Sequence, residues 1–117
     1  MSSEYTPHKW VVVEVHTKDG EILYKVLGSW YGGYTGSDSW RFSSGITKVV
    51  HHDKHYDIHN HSGSVYACYK DARGMSSFTA DVFHRLKNQM EEKELGTMKI
   101  SISDFTEDQF KQGETNE

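Results

Sequence analysis

The chain has 117 residues, 17 acidic and 13 basic side chains and a single cysteine, which suits one domain with one modest core. A net charge of −4 provides no basic field for general nucleic-acid binding. The lone Cys68 excludes an intrachain disulfide, and no stretch approaches the roughly 18 apolar residues of a membrane-spanning helix.

Mean hydropathy is −0.74, and valine and aromatic residues outweigh leucine, a bias that favours half-buried strands over a helix bundle. Residues 1–8 are polar and lack a signal-peptide pattern. With no disulfide, the expected setting is the reducing cytoplasm. The charge is unevenly placed. Five acids and one lysine fall in residues 104–117, so residues 1–103 hold twelve charges of each sign. A single α+β domain over 1–105 is expected, followed at 106–117 by an acidic tail without order of its own.

Residues 10–16 alternate and are rich in valine, and residues 22–28 form a second apolar run. Asp19-Gly20 between them predicts a hairpin with a two-residue turn. That turn sets Lys18 against Glu21, Val15 against Tyr24, Glu14 against Lys25 and Val13 against Val26. Val11, Val13, Val15, Tyr24 and Val26 then share one face. Residues 29–39 mix glycine, serine and aromatics and read as a loop. Strands follow at 40–42 and 46–50, and another at 65–70 after the Ser62-Gly63-Ser64 turn. Ser76 or Ser77 caps a helix over 78–90, with Phe78, Val82, Phe83, Leu86 and Met90 on one stripe and Gly96 as its C-terminal cap. Met98, Ile100 and Ile102 then alternate as a last strand. The predicted architecture is α+β, an antiparallel sheet of five to six strands backed by one helix in the C-terminal half.

Two segments could carry chemistry. Five of the eight histidines fall within residues 51–61. In a straight strand His51, Asp53, His55, Asp57, His59 and His61 share a face. In a hairpin turning at Asp53-Lys54, His52, His55, Asp57 and His59 share one face while Val49, Tyr56 and Ile58 share the other. Either arrangement gathers imidazoles and carboxylates, the donors that Zn²⁺ or Ni²⁺ takes. The candidate metal set is His51, His55, Asp57, His59 and His61. The plainer alternative is a polar, solvated hairpin face that binds no cofactor.

The second segment is the aromatic-glycine loop with Trp30, Tyr31, Tyr34 and Trp40. Tyr and Trp are favoured anchors at protein interfaces. The alternative is that Trp30 and Trp40 plug the end of the sheet. No assembled catalytic set stands out: Cys68 lies in a strand pattern and reads as a small buried hydrophobe, and the glycines at 32, 33 and 36 lack the Lys-Ser/Thr of a phosphate loop.

The segments Ser39-Trp40-Arg41-Phe42-Ser43-Ser44-Gly45-Ile46, Ser62-Gly63-Ser64-Val65-Tyr66-Ala67-Cys68-Tyr69 and Gly74-Met75-Ser76-Ser77-Phe78-Thr79-Ala80 resemble small accessory proteins of large tailed phages. The resemblance covers about a third of the chain and carries over no functional residues. It implies a non-essential early protein that binds or inhibits a host factor. The expected function is a non-enzymatic binding or modulator protein with a protein partner; the alternative is a metal-binding domain or metal-dependent hydrolase built on the histidine segment. Oligomeric state stays open.

Overall fold

The computed structural model describes residues 4–33 and 36–101. In chain order the elements are β1 (Glu4–Tyr5), β2 (Lys9–Thr17), β3 (Ile22–Trp30), β4 (Ser39–Phe42), β5 (Ile46–His51), β6 (His55–Asn60), β7 (Val65–Tyr69), a 3₁₀ turn (Lys70–Ala72), α1 (Ser77–Glu92) and β8 (Gly96–Ile100). The α+β class holds. The strands form two four-stranded sheets rather than one larger sheet, ordered β4-β3-β2-β8 and β1-β7-β6-β5. Every strand pairing is antiparallel except that of β1 with β7. Ile102, expected in the last strand, and the tail expected at 106–117 lie outside the described residues.

The second sheet exists because β2 is buried on both faces. Trp10, Val11, Val12 and Val13 are all buried in succession, as in a strand covered from two sides. Trp10, Val12 and Val26 meet Val49, Ile58, Tyr66 and Cys68 of the second sheet. Val11, Val13, Val15, Leu27 and Met98 meet Val82 and Phe83 of α1, with Phe78, Leu86 and Met90 packed around them. The order of layers is therefore helix, sheet, sheet.

The first hairpin forms, but one residue out of the expected register. The Thr17 amide donates to the Glu21 carbonyl at 2.9 Å, and the Gly20 amide to the Thr17 carbonyl at 3.0 Å. Gly20 has φ +91°. This is a three-residue loop, Lys18-Asp19-Gly20, with glycine in the left-handed position. Val15 consequently faces Leu23, Glu14 faces Tyr24, Val13 faces Lys25 and Val12 faces Val26. A one-residue slip exchanges faces, so Tyr24 and Val26 turn to the second sheet, and Leu27 joins Val11, Val13 and Val15 beneath the helix.

The helix begins where serine can cap it. Ser76 Oγ accepts the Thr79 amide at 3.2 Å, satisfying one of the free donors of the first turn. The Thr79 hydroxyl lies 3.0 Å from Ser76 Oγ and 2.7 Å from Ser29 Oγ, so a small buried hydroxyl network ties the helix start to β3. Beyond the last helical residue, Glu92, the chain turns at Glu94, which takes φ 57°, while the Leu95 amide donates back to the Met90 carbonyl at 3.0 Å. Glu94, not Gly96, holds the left-handed capping position. Gly96 instead opens β8, where a Cβ would lie 2.0 Å from the His16 carbonyl oxygen. Past the helix end, the Thr97 hydroxyl donates to the Glu91 carboxylate. That bond, with help from Lys87, holds the Glu91 carboxyl below the usual range.

Candidate functional site

The histidine segment is a hairpin, not a straight strand. β5 and β6 pair with Val49 against Ile58, Val50 against Asp57 and His51 against Tyr56. The chain turns through His52, Asp53 and Lys54, with the His52 amide donating to the His55 carbonyl at 2.9 Å. Turning resets the side-chain alternation, as in the hairpin arrangement weighed from the sequence, and decides which histidines meet Asp57. His51 pairs with Tyr56, its ring edge-on to the phenol at 5.1 Å, away from Asp57. His52 takes its place: Nε2 of His52 lies 2.9 Å from Asp57 Oδ2, and Nε2 of His55 lies 3.3 Å from Asp57 Oδ1. The two imidazoles stack at 4.5 Å, and His55 stacks in turn on Tyr69 at 5.0 Å. Donor atoms of His52, His55 and Asp57 lie within 4.8 Å of one another. His59 follows on β6 opposite Lys48, and His61 is exposed beyond the strand; neither joins this trio.

The aromatic residues separate into two roles. The Trp30 indole donates to the Thr6 carbonyl at 3.0 Å, and its ring meets Tyr5 edge-on at 6.3 Å, so it closes the end of the inter-sheet core. Tyr31 is 52% exposed and stacks on His8 at 5.3 Å. Trp40 is 41% exposed on β4, an edge strand of its sheet. Tyr34 lies outside the described residues. Trp30 and Trp40 share a cleft of about 260 Å³ with Tyr5, Ser39 and Arg41.

A second cleft of about 330 Å³ adjoins it, lined by Tyr5, Arg41, Phe42, Ser43, Ser44, Ser62, Ser64 and Tyr66. The connection between β4 and β5 meets the turn between β6 and β7 here: the His61 amide donates to the Gly45 carbonyl at 2.8 Å, and the Ser62 amide to Ser44 Oγ at 3.0 Å. Ser43 Oγ accepts the Val26 amide at 2.8 Å, and the hydroxyls of Ser62 and Ser64 lie 3.2 Å apart. The Arg41 guanidinium sits 4.4 Å above the Tyr5 ring. Tyr66 is 1% exposed. Burial pushes its phenol up to about 12, with the Arg41 charge opposing the rise. Sequence reading missed this cleft because Ser43-Ser44 and Ser62-Gly63-Ser64 each look like ordinary turn residues. Only the strand pairing brings them together.

The nucleophile candidate is closed off. Cys68 is fully buried in the inter-sheet core, and burial, followed by the nearby Asp57 charge, pushes its thiol up. A thiol held protonated is a poor nucleophile. Among the described residues no helix is long and apolar enough to cross a membrane. Comparison of the chain with protein families, curated proteins and solved structures finds no match.

Proposed function

We propose that this chain is a small non-enzymatic binding domain whose contact surface is the edge of the molecule around Trp40. The observation that carries this reading is the pairing of an exposed Trp40 on an edge strand with an open cleft floored by Trp30 and Tyr5. Large rigid aromatics beside a concavity are the residues that dominate protein interfaces. The resemblance to phage accessory proteins supports a host protein as the partner. The test is affinity capture from host extract, followed by titration of the purified partner. Trp40→Ala should weaken binding at least about tenfold, about 1.4 kcal/mol, while leaving the unfolding midpoint in place. Equal affinity for wild type and variant would sink this reading.

A metal-binding reading is favoured separately by the convergence of His52, His55 and Asp57. Three donors with an open position can take Zn²⁺. Untagged protein should then take up zinc near stoichiometry, His52→Ala should abolish uptake and His61→Ala should preserve it. Uptake that survives His52→Ala removes the trio from consideration.

A further inference from the structure

The hydroxyl-lined cleft beside Arg41 holds several hydroxyl donors without a partner among the described residues. Each serine hydroxyl carries one hydrogen and two lone pairs. Ser43 Oγ already accepts the Val26 amide and Ser44 Oγ the Ser62 amide, so the hydrogens of both remain to be given. Ser62 and Ser64 share one hydrogen between them, which leaves the other free. Tyr66 lines the cleft, and its hydroxyl makes no hydrogen bond to another described residue. It stays protonated, and therefore a donor, across the physiological range.

Charge points the same way. Among the described residues no carboxylate lines the cleft. Among the described residues the Arg41 guanidinium has no hydrogen-bond or ion-pair partner; it lies over the Tyr5 ring. Stacking fixes the plane of the guanidinium and leaves the N–H groups at its edge unused. A recess that combines one cation with several free hydroxyl donors suits an oxyanion.

We propose that the cleft between Arg41, Ser43, Ser44, Ser62, Ser64 and Tyr66 binds the phosphate group of a small phosphate monoester. Phosphate presents three strong acceptor oxygens, matched to the guanidinium fork and the convergent hydroxyls; a planar carboxylate would leave part of the donor set unused. About 330 Å³ lies at the small end of ligand sites, enough for a phosphate and a compact body, with the Trp40 cleft next to it for a larger one. The proposal deepens the binding reading and rests on it only in using the same edge of the molecule.

The test is amide and side-chain NMR of the full chain, titrated at constant ionic strength with inorganic phosphate, ribose 5-phosphate and a phosphoserine peptide. The chloride-matched protein is the reference. The expected result is saturable shifts at residues 41–44 and 62–66, with at least one ester tighter than inorganic phosphate. Preference for the sugar ester identifies a free metabolite, and preference for the peptide a phosphorylated partner. Arg41→Gln should weaken binding about tenfold or more, and Ser64→Ala should weaken it less. Trp40→Ala should leave the inorganic phosphate affinity unchanged even if it abolishes partner binding, so the two readings fail separately. Shifts that do not saturate at tens of millimolar, or that Arg41→Gln leaves intact in a folded protein, overturn the proposal.

Discussion

The two cores on either side of β2 and β3 are built from different materials. On the helix side, valines, Leu27 and Met98 meet Val82 and Phe83, and the surrounding Phe42, Phe78, Leu86, Met90 and Ile100 carry no polar end. Between the sheets, Trp10 and Tyr66 lie at the centre, with Tyr5, Tyr24, Trp30 and Tyr56 packed around them. Those aromatics are apolar at one end and polar at the other, so they settle at boundaries. The clefts at Trp30–Trp40 and at Arg41–Tyr66 both open at that aromatic rim. One core is closed by wholly apolar side chains and serves as scaffold. The other is closed by groups that also face water, and its rim carries the candidate chemistry.

The sharpest way to break this division is to remove Trp10. It is fully buried, its indole donates to the Tyr69 carbonyl at 2.7 Å, and its own carbonyl accepts the Gly74 amide at 2.8 Å. The Arg73 guanidinium caps its ring at 5.4 Å. The segment from β7 to the helix start is thus wrapped around one side chain. Trp10→Ala should cost about 3–5 kcal/mol, a large part of the stability of a domain this size, as read by denaturant unfolding. A loss under about 1 kcal/mol would show that the inter-sheet core is not organised around this ring.

The same contrast explains what could be read from sequence. The helix side was legible because its signals are local: the stripe Phe78, Val82, Phe83, Leu86 and Met90 repeats at helical spacing, and Ser76 caps where a serine can. The inter-sheet side was not. Four buried residues in a row, from Trp10 to Val13, are compatible with one sheet or two, and only the partner layer decides. The hairpin at Asp19-Gly20 was visible, yet its register turned on whether the loop held two residues or three. That single step sent Tyr24 and Val26 to the opposite face. The histidine trio was half legible for a related reason. His55 and Asp57 share a face in a straight strand and in a hairpin turning at Asp53-Lys54, but only the hairpin adds His52, and choosing it required knowing that the chain turns there.

A titration in alkali tests the inter-sheet rim without touching its packing. Tyr66 is held up to about 12 in the folded protein by burial, against about 10 in an unfolded chain. Between those values the unfolded state has lost the proton and the folded state keeps it. The Tyr66 contribution is therefore intact below about pH 10 and declines as pH rises toward 12, by roughly 2–3 kcal/mol in all. Tyr66→Phe should flatten this part of the unfolding profile. An alkaline decline unchanged in Tyr66→Phe would assign the effect to other tyrosines.

The helix side has one polar weak point, and it should respond less. Thr79 is fully buried, with its hydroxyl between Ser29 and Ser76. Thr79→Val keeps the shape and strands the Ser29 hydroxyl, itself only 3% exposed. The expected loss is about 1–2 kcal/mol in chemical denaturation. A neutral result would mean that Ser29 and Ser76 re-pair without it, and that the helix is seated by apolar packing alone.

The smallest effect should be a gain. Glu94 holds the left-handed position at the end of α1 with φ 57°, which costs a side-chain-bearing residue about 1–2 kcal/mol relative to right-handed backbone. Glycine removes that cost but loses more freedom on folding, about 0.5–1 kcal/mol. The net expectation for Glu94→Gly is stabilisation by about 0.5–1 kcal/mol, seen as a higher unfolding midpoint. Gly96, two residues on, offers the control. A Cβ there would collide with the His16 carbonyl, so Gly96→Ala should destabilise although it adds only a methyl near a chain reversal. Opposite signs at these two positions would locate the cap at Glu94 and the close strand contact at Gly96. A destabilised Glu94→Gly would mean that the glutamate side chain contributes more at the helix end than its backbone costs.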